Sequence, residues 1–262
     1  MELTLEEKIA KVKDFRVMDD VFFEVLADDV GVCQEMLRTI LEDDALIVED
    51  VIVQSSERNL YGRSVRLDAL CVLGTGARVN IEVQRSDNDD HLKRARFNAA
   101  SITVKDSNAG ETFSGILDVI VIYISEFDFL GEGKTTYHID KVIRETGTVI
   151  DDGQKEIFVN TTVDDGSDIA DLMSCVSTKM VDNPKFPRLS ERVHELKTTE
   201  GGNSAVCQVM QHYEQIAREE GIKQGMQQGI EQERARSAEE KNALEKRVAE
   251  LEARLALVSI KQ

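Results

Sequence analysis

The chain has 262 residues, of which 41% are hydrophobic, enough for one well-buried domain and an appendage. Its net charge is -18, and residues 1–200 carry nearly all of it, with 23 Lys and Arg against 40 Asp and Glu. This balance excludes nucleic-acid binding by a broad basic surface, because phosphate binding draws its affinity from lysine and arginine. Any contact with nucleic acid must use local basic clusters, bound divalent metal or a second chain.

Neither secretion nor a membrane anchor is expected. Residues 1–15 mix charges of both signs, and the chain contains no apolar run long enough to cross a bilayer. The four cysteines stand singly, without a CxxC pair, which favours reduced thiols with a packing role over a disulfide framework or a zinc cluster. We therefore expect a cytoplasmic protein.

The first half of the chain changes its hydrophobic period twice. Residues 5–42 carry apolar side chains at spacings of three and four, which predicts helix. Three short runs rich in Val, Ile and Leu then predict strands over 46–53, 64–73 and 78–84. A helical pattern returns over 91–107.

The second half begins with the most apolar segment of the chain. Leu117–Ser125 contains an unbroken apolar run, 119–124, that is rich in β-branched residues, which predicts a strand buried on both faces of a sheet. Weaker strands are predicted around 137–144 and 156–160, followed by an amphipathic helix over 168–180 and a segment punctuated by both prolines. This order of elements predicts an α/β or α+β domain with a mixed central sheet flanked by helices.

The C-terminal region predicts one long helix from about Ser204, because it is rich in Glu, Gln, Lys, Arg, Ala and Leu. Glycines recur at 221, 225 and 229, which suggests close helix approach or a soft stretch. Beyond them, apolar residues from Leu244 to Val258 step 4-3-4-3, as in a heptad seam. A single solvated helix is one interpretation, but the narrow seam favours a homo-oligomer. The predicted division is therefore a domain over 1–200 and a helical tail over 204–262, with a coiled coil at about 240–260.

The segment with the most chemical information is a predicted hairpin. Its strands are joined by Gly74–Gly76, and a three-residue loop of this kind sets the pairing of the two strands. Counting outward from the loop places Asp68 directly opposite Glu82, with Cβ atoms roughly 4.5–5.5 Å apart. Gln84 lies on the same face, as do Arg66 and Asn80. The reverse face is expected to be apolar throughout: Val65, Leu67, Ala69, Cys71, Val79, Ile81 and Val83.

Two opposed carboxylates repel each other unless something compensates them. A divalent cation would do so, and Mg²⁺ often binds through one or two carboxylates and several waters. Such a cation activates water and stabilises charge on a phosphoryl oxygen, which is hydrolytic chemistry. The alternative is a set of weak surface ion pairs, Asp68 with a neighbouring arginine and Glu82 with another. The arginines considered for these pairs are Arg63, Arg66, Arg78 and Arg94.

These residues resemble a known signature. Asp68 followed by Asn80-Ile-Glu-Val-Gln84 resembles the D…(D/E)xK motif of PD-(D/E)XK phosphodiesterases. More narrowly it resembles the bacterial recombination-promoting nuclease or putative transposase subfamily, in which glutamine commonly replaces the lysine. The resemblance extends over nearly the whole chain, through Asp20–Phe23, Lys93–Phe97, Phe127–Phe129, Tyr137–Arg144, Ile157–Asn160, Lys185–Pro187 and the Gly-x-x-x-Gly tail.

The resemblance implies a restriction-endonuclease-like core that cleaves DNA with Mg²⁺ or Mn²⁺. Asp68 and Glu82 would be the metal ligands, and Gln84 would orient the attacking water. Gln84 departs from the general superfamily pattern, since an amide is neither a cation nor a general base at neutral pH. Asp20 has two interpretations, an additional acidic group near the metal or a carboxylate that stabilises a helix N-terminus.

Four basic residues are candidates for DNA binding: Arg66, Lys93, Arg94 and Arg96. Guanidinium groups suit phosphate oxygens, although Arg94 and Arg96 could equally neutralise the acidic residues at 87, 89 and 90. The four histidines have no ligand-like spacing and are expected to be surface or packing residues. A competing function is a catalytically weak scaffold that oligomerises through its tail. The acidic surface favours the scaffold, and the intact Asp68/Glu82 pair favours an active nuclease.

Overall fold

The computed structural model describes residues 4–57, 65–87, 90–107 and 110–259. The chain forms two compact units, one over residues 1–210 and the other over residues 211–262. Within the described residues, no helix has the length and apolar character needed to span a membrane.

The N-terminal helical region is three helices and not one. They are α1 (Leu5–Asp14), α2 (Asp20–Ala27) and α3 (Val30–Leu41). Thr4 begins α1 with a capping box, in which its side chain and the glutamate three residues later satisfy each other's backbone amides. The carboxylate of Asp29 accepts two amides of the first turn of α3. The predicted continuous helix was wrong because periodicity shows the apolar stripe but not these interruptions.

The central sheet is mixed, as predicted. Its six strands lie in the order β1-β2-β3-β4-β8-β5, with β3, β4 and β8 parallel and the other neighbours antiparallel. A separate two-stranded sheet pairs β6 with β7. The strands are β1 (Val48–Glu57), β2 (Val65–Leu73), β3 (Arg78–Gln84), β4 (Val119–Ser125), β5 (Thr136–Ile139), β6 (Lys141–Ile143), β7 (Thr148–Ile150) and β8 (Gln154–Asn160). The predicted strand over 137–144 is therefore divided between two sheets.

Three further helices precede the C-terminal helix, with a short 3-10 turn at Phe113–Gly115. They are α4 (His91–Lys105), α5 (Asp168–Val176) and α6 (Pro187–Thr198). Pro187 lies in the first turn of α6, where its missing amide hydrogen costs nothing. Sequence analysis treated this proline as a break and therefore missed the helix.

The apolar core lies on both faces of the sheet. The larger cluster packs one face against helices α1, α2, α3, α5 and α6, and the smaller cluster packs the other face against α4. Val121 and Ile122, neighbours on β4, belong to different clusters and are fully buried, so this strand is covered on both faces as predicted. All four cysteines are buried as free thiols, which confirms their packing role.

One side chain of β2 lies on the opposite face from the one predicted. Leu67 packs with Leu70 and α4, whereas Ala69 belongs to the larger cluster. Across the ladder in β1, Gln54 has a left-handed backbone with φ of 52°, which interrupts the regular alternation at this point. The hairpin therefore stops being regular next to Asp68.

The C-terminal helix α7 (Glu200–Ser259) begins four residues earlier than predicted and provides all the described residues of the second unit. Its apolar stripe is open to solvent in the single chain, with Ile222, Met226, Ile230, Leu244 and Val248 between 52% and 67% exposed. A Cβ atom added at any of the three tail glycines would meet nothing within 4 Å.

Candidate active site

Strands β2 and β3 pair in the predicted register, as far as Ala69 opposite Ile81. One step further, the same register would place Asp68 opposite Glu82. The backbone pairing between the strands ends at this step, so the two acidic residues lie where β2 and β3 part.

Each of these carboxylates binds a backbone amide of the neighbouring strand. Oδ2 of Asp68 accepts the Val83 N–H at 3.0 Å. The carboxylate of Glu82 in turn accepts the backbone N–H of Asp68. The side chains thus continue the connection between the strands after the backbone ladder has ended, and the two acidic groups lie close enough for the charge of Asp68 to raise the pKa of Glu82.

The pair is costly to ionise. Burial raises the pKa of Asp68 to about 7, and the negative charge of Asp20 adds to the effect, while the Val83 amide opposes it. Burial and the charge of Asp68 hold the pKa of Glu82 well above its ordinary value. The Asn80 amide donates to Glu82 Oε1 at 2.8 Å and fixes that carboxylate. Protons or a cation must therefore balance this pair at neutral pH.

Asp20 is the first residue of α2, and its negative charge acts on Asp68. Burial raises the pKa of Asp20, and the positive charge of Arg85 is the strongest influence in the opposite direction. Over the part of the chain that the structure describes, no three His, Cys, Asp or Glu side chains are grouped so that they could hold one metal ion. The arrangement is a pair of carboxylates with a third acid nearby.

Gln84 lies in a polar cleft of about 380 Å³. Its amide donates to the Ser86 carbonyl at 2.8 Å, so the side chain is turned toward the loop that follows β3. Asp20, Arg85 and Glu126 also line this cleft.

The predicted DNA-binding residues lie on two elements. Arg94 on α4 pairs with Asp90 at 3.7 Å, and Lys93 and Arg96 are exposed on the same helix. Arg66 on β2 lies 3.8 Å from Glu24, and both Arg66 and Arg94 lower the pKa of Asp68 through their charge. Of the other arginines considered, Arg78 pairs with Asp106 at 2.5 Å, while Arg63 lies outside the described residues, as does Asp89.

Sequence analysis missed a hydrogen-bonded chain beside the site. His91, at the start of α4, is buried, with Nε2 2.9 Å from Asp87 Oδ1 and Nδ1 2.9 Å from the Tyr123 hydroxyl. Tyr123 on β4 is the strand neighbour of Glu82, and burial raises its pKa. The i, i+4 spacing of Asp87 and His91 is visible in the sequence. The contact with Tyr123 depends on how β4 and α4 pack.

A family model described as PD-(D/E)XK nuclease family transposase matches residues 20–162, more than half of the chain. The chain belongs to this family. The matched range contains Asp20, Asp68, Glu82 and Gln84, and the mixed sheet with its flanking helices is the restriction-endonuclease-like fold that the sequence predicts. Searches among curated proteins and among solved structures gave no significant match.

PD-(D/E)XK nucleases generally use divalent metals. Asp68 and Glu82 offer oxygen atoms, the donors that Mg²⁺ and Mn²⁺ prefer. Their raised pKa values mean that a nearby positive charge would relieve an unfavourable interaction. Two carboxylates with several waters is a common Mg²⁺ arrangement.

Proposed function

We propose that this chain is a metal-dependent DNA endonuclease, associated with recombination or mobile elements, that hydrolyses phosphodiester bonds at Asp68 and Glu82. The observation that supports it is the pair of acidic side chains at the point where β2 and β3 part, each with a raised pKa. The nuclease domain would occupy residues 1–200 and act in the cytoplasm.

The chain's own residues have separate roles in this proposal. A bound Mg²⁺ or Mn²⁺ would supply Lewis acidity toward water and the phosphoryl oxygen. Asp68 and Glu82 would hold it, with Asp20 as a nearby additional acid. Asn80 keeps the Glu82 carboxylate in place, and Gln84 would orient the attacking water by hydrogen bonding, since its amide cannot accept a proton. The flanking phosphates would be bound by Arg66, Lys93, Arg94 and Arg96.

The first test is metal-dependent nicking of a supercoiled plasmid. We expect cleavage with Mg²⁺ or Mn²⁺ and none after chelation with EDTA, with activity restored when the metal is returned in excess. Restoration controls for irreversible damage by the chelator. Complete inactivity of the folded protein with both metals would contradict the nuclease and favour the second candidate, a scaffold with a nuclease fold, which the net charge of -18 supports.

The tail carries a separate proposal, assembly of several copies through residues 204–262. Leu244 and Val248 are 67% and 53% exposed in the single chain, and burying such a stripe between helices would stabilise an oligomer. Deletion of residues 240–262 is expected to lower the mass measured by light scattering.

A substitution pair sharpens this test of the tail. Leu244→Glu with Val248→Glu should lower the mass as the deletion does. The control, Asn242→Glu with Ala249→Glu, adds the same charge on the outer face of the heptad and should leave the mass unchanged. Assembly through this seam would be refuted if the wild type, the deletion, the seam variant and the control all had the same mass.

A further inference from the structure

The residue after Gln84 supplies a positive charge that the motif itself lacks. Arg85 lines the cleft and forms two ion pairs, from Nη1 to Asp19 Oδ1 at 2.7 Å and from Nε to Glu126 Oε2 at 3.6 Å. Its side chain is 48% exposed despite these contacts. The guanidinium is therefore held at the cleft while part of it remains accessible.

Arg16 completes a closed network with the same two acids. It pairs with Asp19 at 3.4 Å and with Glu126 at short range. The two arginines and two carboxylates balance each other, and Glu126 is shared between both arginines. Removal of Glu126 from Arg85 would leave each arginine still paired with Asp19.

The network adjoins the acidic site. Glu126 and Arg85 line the same cleft as Asp20 and Gln84, and the charge of Arg85 is the strongest influence that opposes the raised pKa of Asp20. Asp20 in turn acts electrostatically on Asp68. A phosphodiester bound in this cleft, beside Asp20 and Gln84, would meet the guanidinium.

We propose that Arg85 binds the scissile phosphodiester, and that Glu126 occupies its guanidinium until the phosphate replaces it. This inference rests on the proposed function. Guanidinium groups bind phosphate oxygens through two parallel hydrogen bonds, whereas partly exposed ion pairs such as Arg85–Glu126 are weak and exchange readily. Arg85 would then stabilise the charge on a non-bridging oxygen with a positive charge that the neutral Gln84 lacks.

The test compares Arg85→Gln, Arg85→Lys and Glu126→Gln with a matched control. Arg188→Gln is that control, because Arg188 is 50% exposed and pairs with Asp29, the residue preceding α3, just as Arg85 pairs with the residue preceding α2. Binding of a fluorescent DNA duplex is measured with Ca²⁺, and kcat and KM are measured with Mg²⁺. Thermal melting shows that each variant is folded.

Arg85→Gln is expected to lower kcat/KM about 100-fold and to weaken duplex binding about tenfold. Arg85→Lys should recover part of both losses, since it keeps the charge but not the two-pronged geometry. Glu126→Gln should tighten duplex binding several-fold, because the competitor for the guanidinium has lost its charge. Arg188→Gln should leave kcat, KM and the affinity for the duplex unchanged.

The inference would be overturned if Glu126→Gln bound the duplex more weakly. It would also be overturned if Arg85→Gln and Arg188→Gln had equal effects. In either case the network would have only a structural role. If the wild type cleaves DNA and Arg85→Gln has the same kcat and KM, Arg85 is excluded while the nuclease stands. If the wild type does not cleave but binds duplex in an Arg85-dependent manner, the phosphate contact stands and the nuclease fails. If the wild type neither cleaves DNA nor binds the duplex, the nuclease proposal and the phosphate contact of Arg85 both fail.

Discussion

Asp68→Asn and Glu82→Gln should each reduce metal-dependent DNA cleavage about 10³-fold or more. Both substitutions keep the shape of the side chain and remove one of the two charges proposed to hold the cation. The readout is the initial rate of plasmid nicking at saturating metal. Cleavage that survives both substitutions at the wild-type rate would exclude the assigned site.

The Asp68→Asn protein should also be more stable than the wild type when metal is absent, in a way that depends on pH. Burial raises the pKa of Asp68 to about 7, so at pH 8 the native wild type carries a charge that its surroundings disfavour. Removing that charge is expected to add about 2 kcal/mol to the free energy of unfolding at pH 8, or several degrees in Tm. At pH 5 Asp68 is protonated in the native state and the gain should be smaller, and it should vanish below about pH 4, where the unfolded chain is protonated as well.

The control for this stability measurement is Asp106→Asn. Asp106 is also a partly buried carboxylate, but it pairs with Arg78 at 2.5 Å, so its charge is favourable. Its substitution should lower Tm or leave it unchanged, and it should leave cleavage intact. A loss of stability for Asp68→Asn at pH 8 equal to that of Asp106→Asn would mean that Asp68 is a structural partner and not a strained ligand.

As the pH rises toward 7, the apparent affinity for Mn²⁺ should increase about tenfold per pH unit for each proton displaced. Above pH 7 the affinity should level off. A cation competes with the protons held by Asp68 and Glu82, both of which have raised pKa values. The stability of the metal-free fold depends on pH in the opposite direction. Between about pH 4 and 7 the native state holds more protons at Asp68 than the unfolded chain, so this residue makes the metal-free protein less stable as pH rises.

Titration calorimetry in two buffers with different ionisation enthalpies would measure the protons released per Mn²⁺. His91→Gln is the matched control, since it alters a buried polar side chain beside the site that is not a proposed ligand. His91 contacts Asp87 and Tyr123, so its substitution should leave the midpoint of the pH dependence in place. An affinity that is independent of pH between 5.5 and 8, with the fold intact, would contradict cation binding at this pair.

The hairpin could be predicted because its information is local. A three-residue loop and an alternating pattern set the register of β2 and β3, which the structure confirms to Ala69 opposite Ile81. The exception, Leu67, depends on the left-handed backbone of Gln54 in a third strand. Nothing in the sequence of the hairpin itself carries that information.

The surroundings of the site could not be predicted in the same way. The contact of His91 with Tyr123 joins residues 32 positions apart, and Glu126 meets Arg85 because β4 lies parallel to β3. Periodicity identifies which side chains are buried and not which of them meet across parallel strands. Pro187 shows a further limit, since a residue that indicates a break in the sequence pattern lies in the first turn of α6.

The ladder that ends between Ala69 and Asp68 has a consequence for the choice of ion. Beyond this point β2 is paired only with β1, and β3 is paired only with β4. The proposed ligand Asp68 therefore lies in the β1–β2 part of the sheet and Glu82 in the part built on β3 and β4. Oxygen ligands lie at 2.0–2.1 Å from Mg²⁺ and at 2.3–2.6 Å from Ca²⁺. Discrimination between these ions would then depend on how closely the two parts are held, and residues remote from the ligands could alter it.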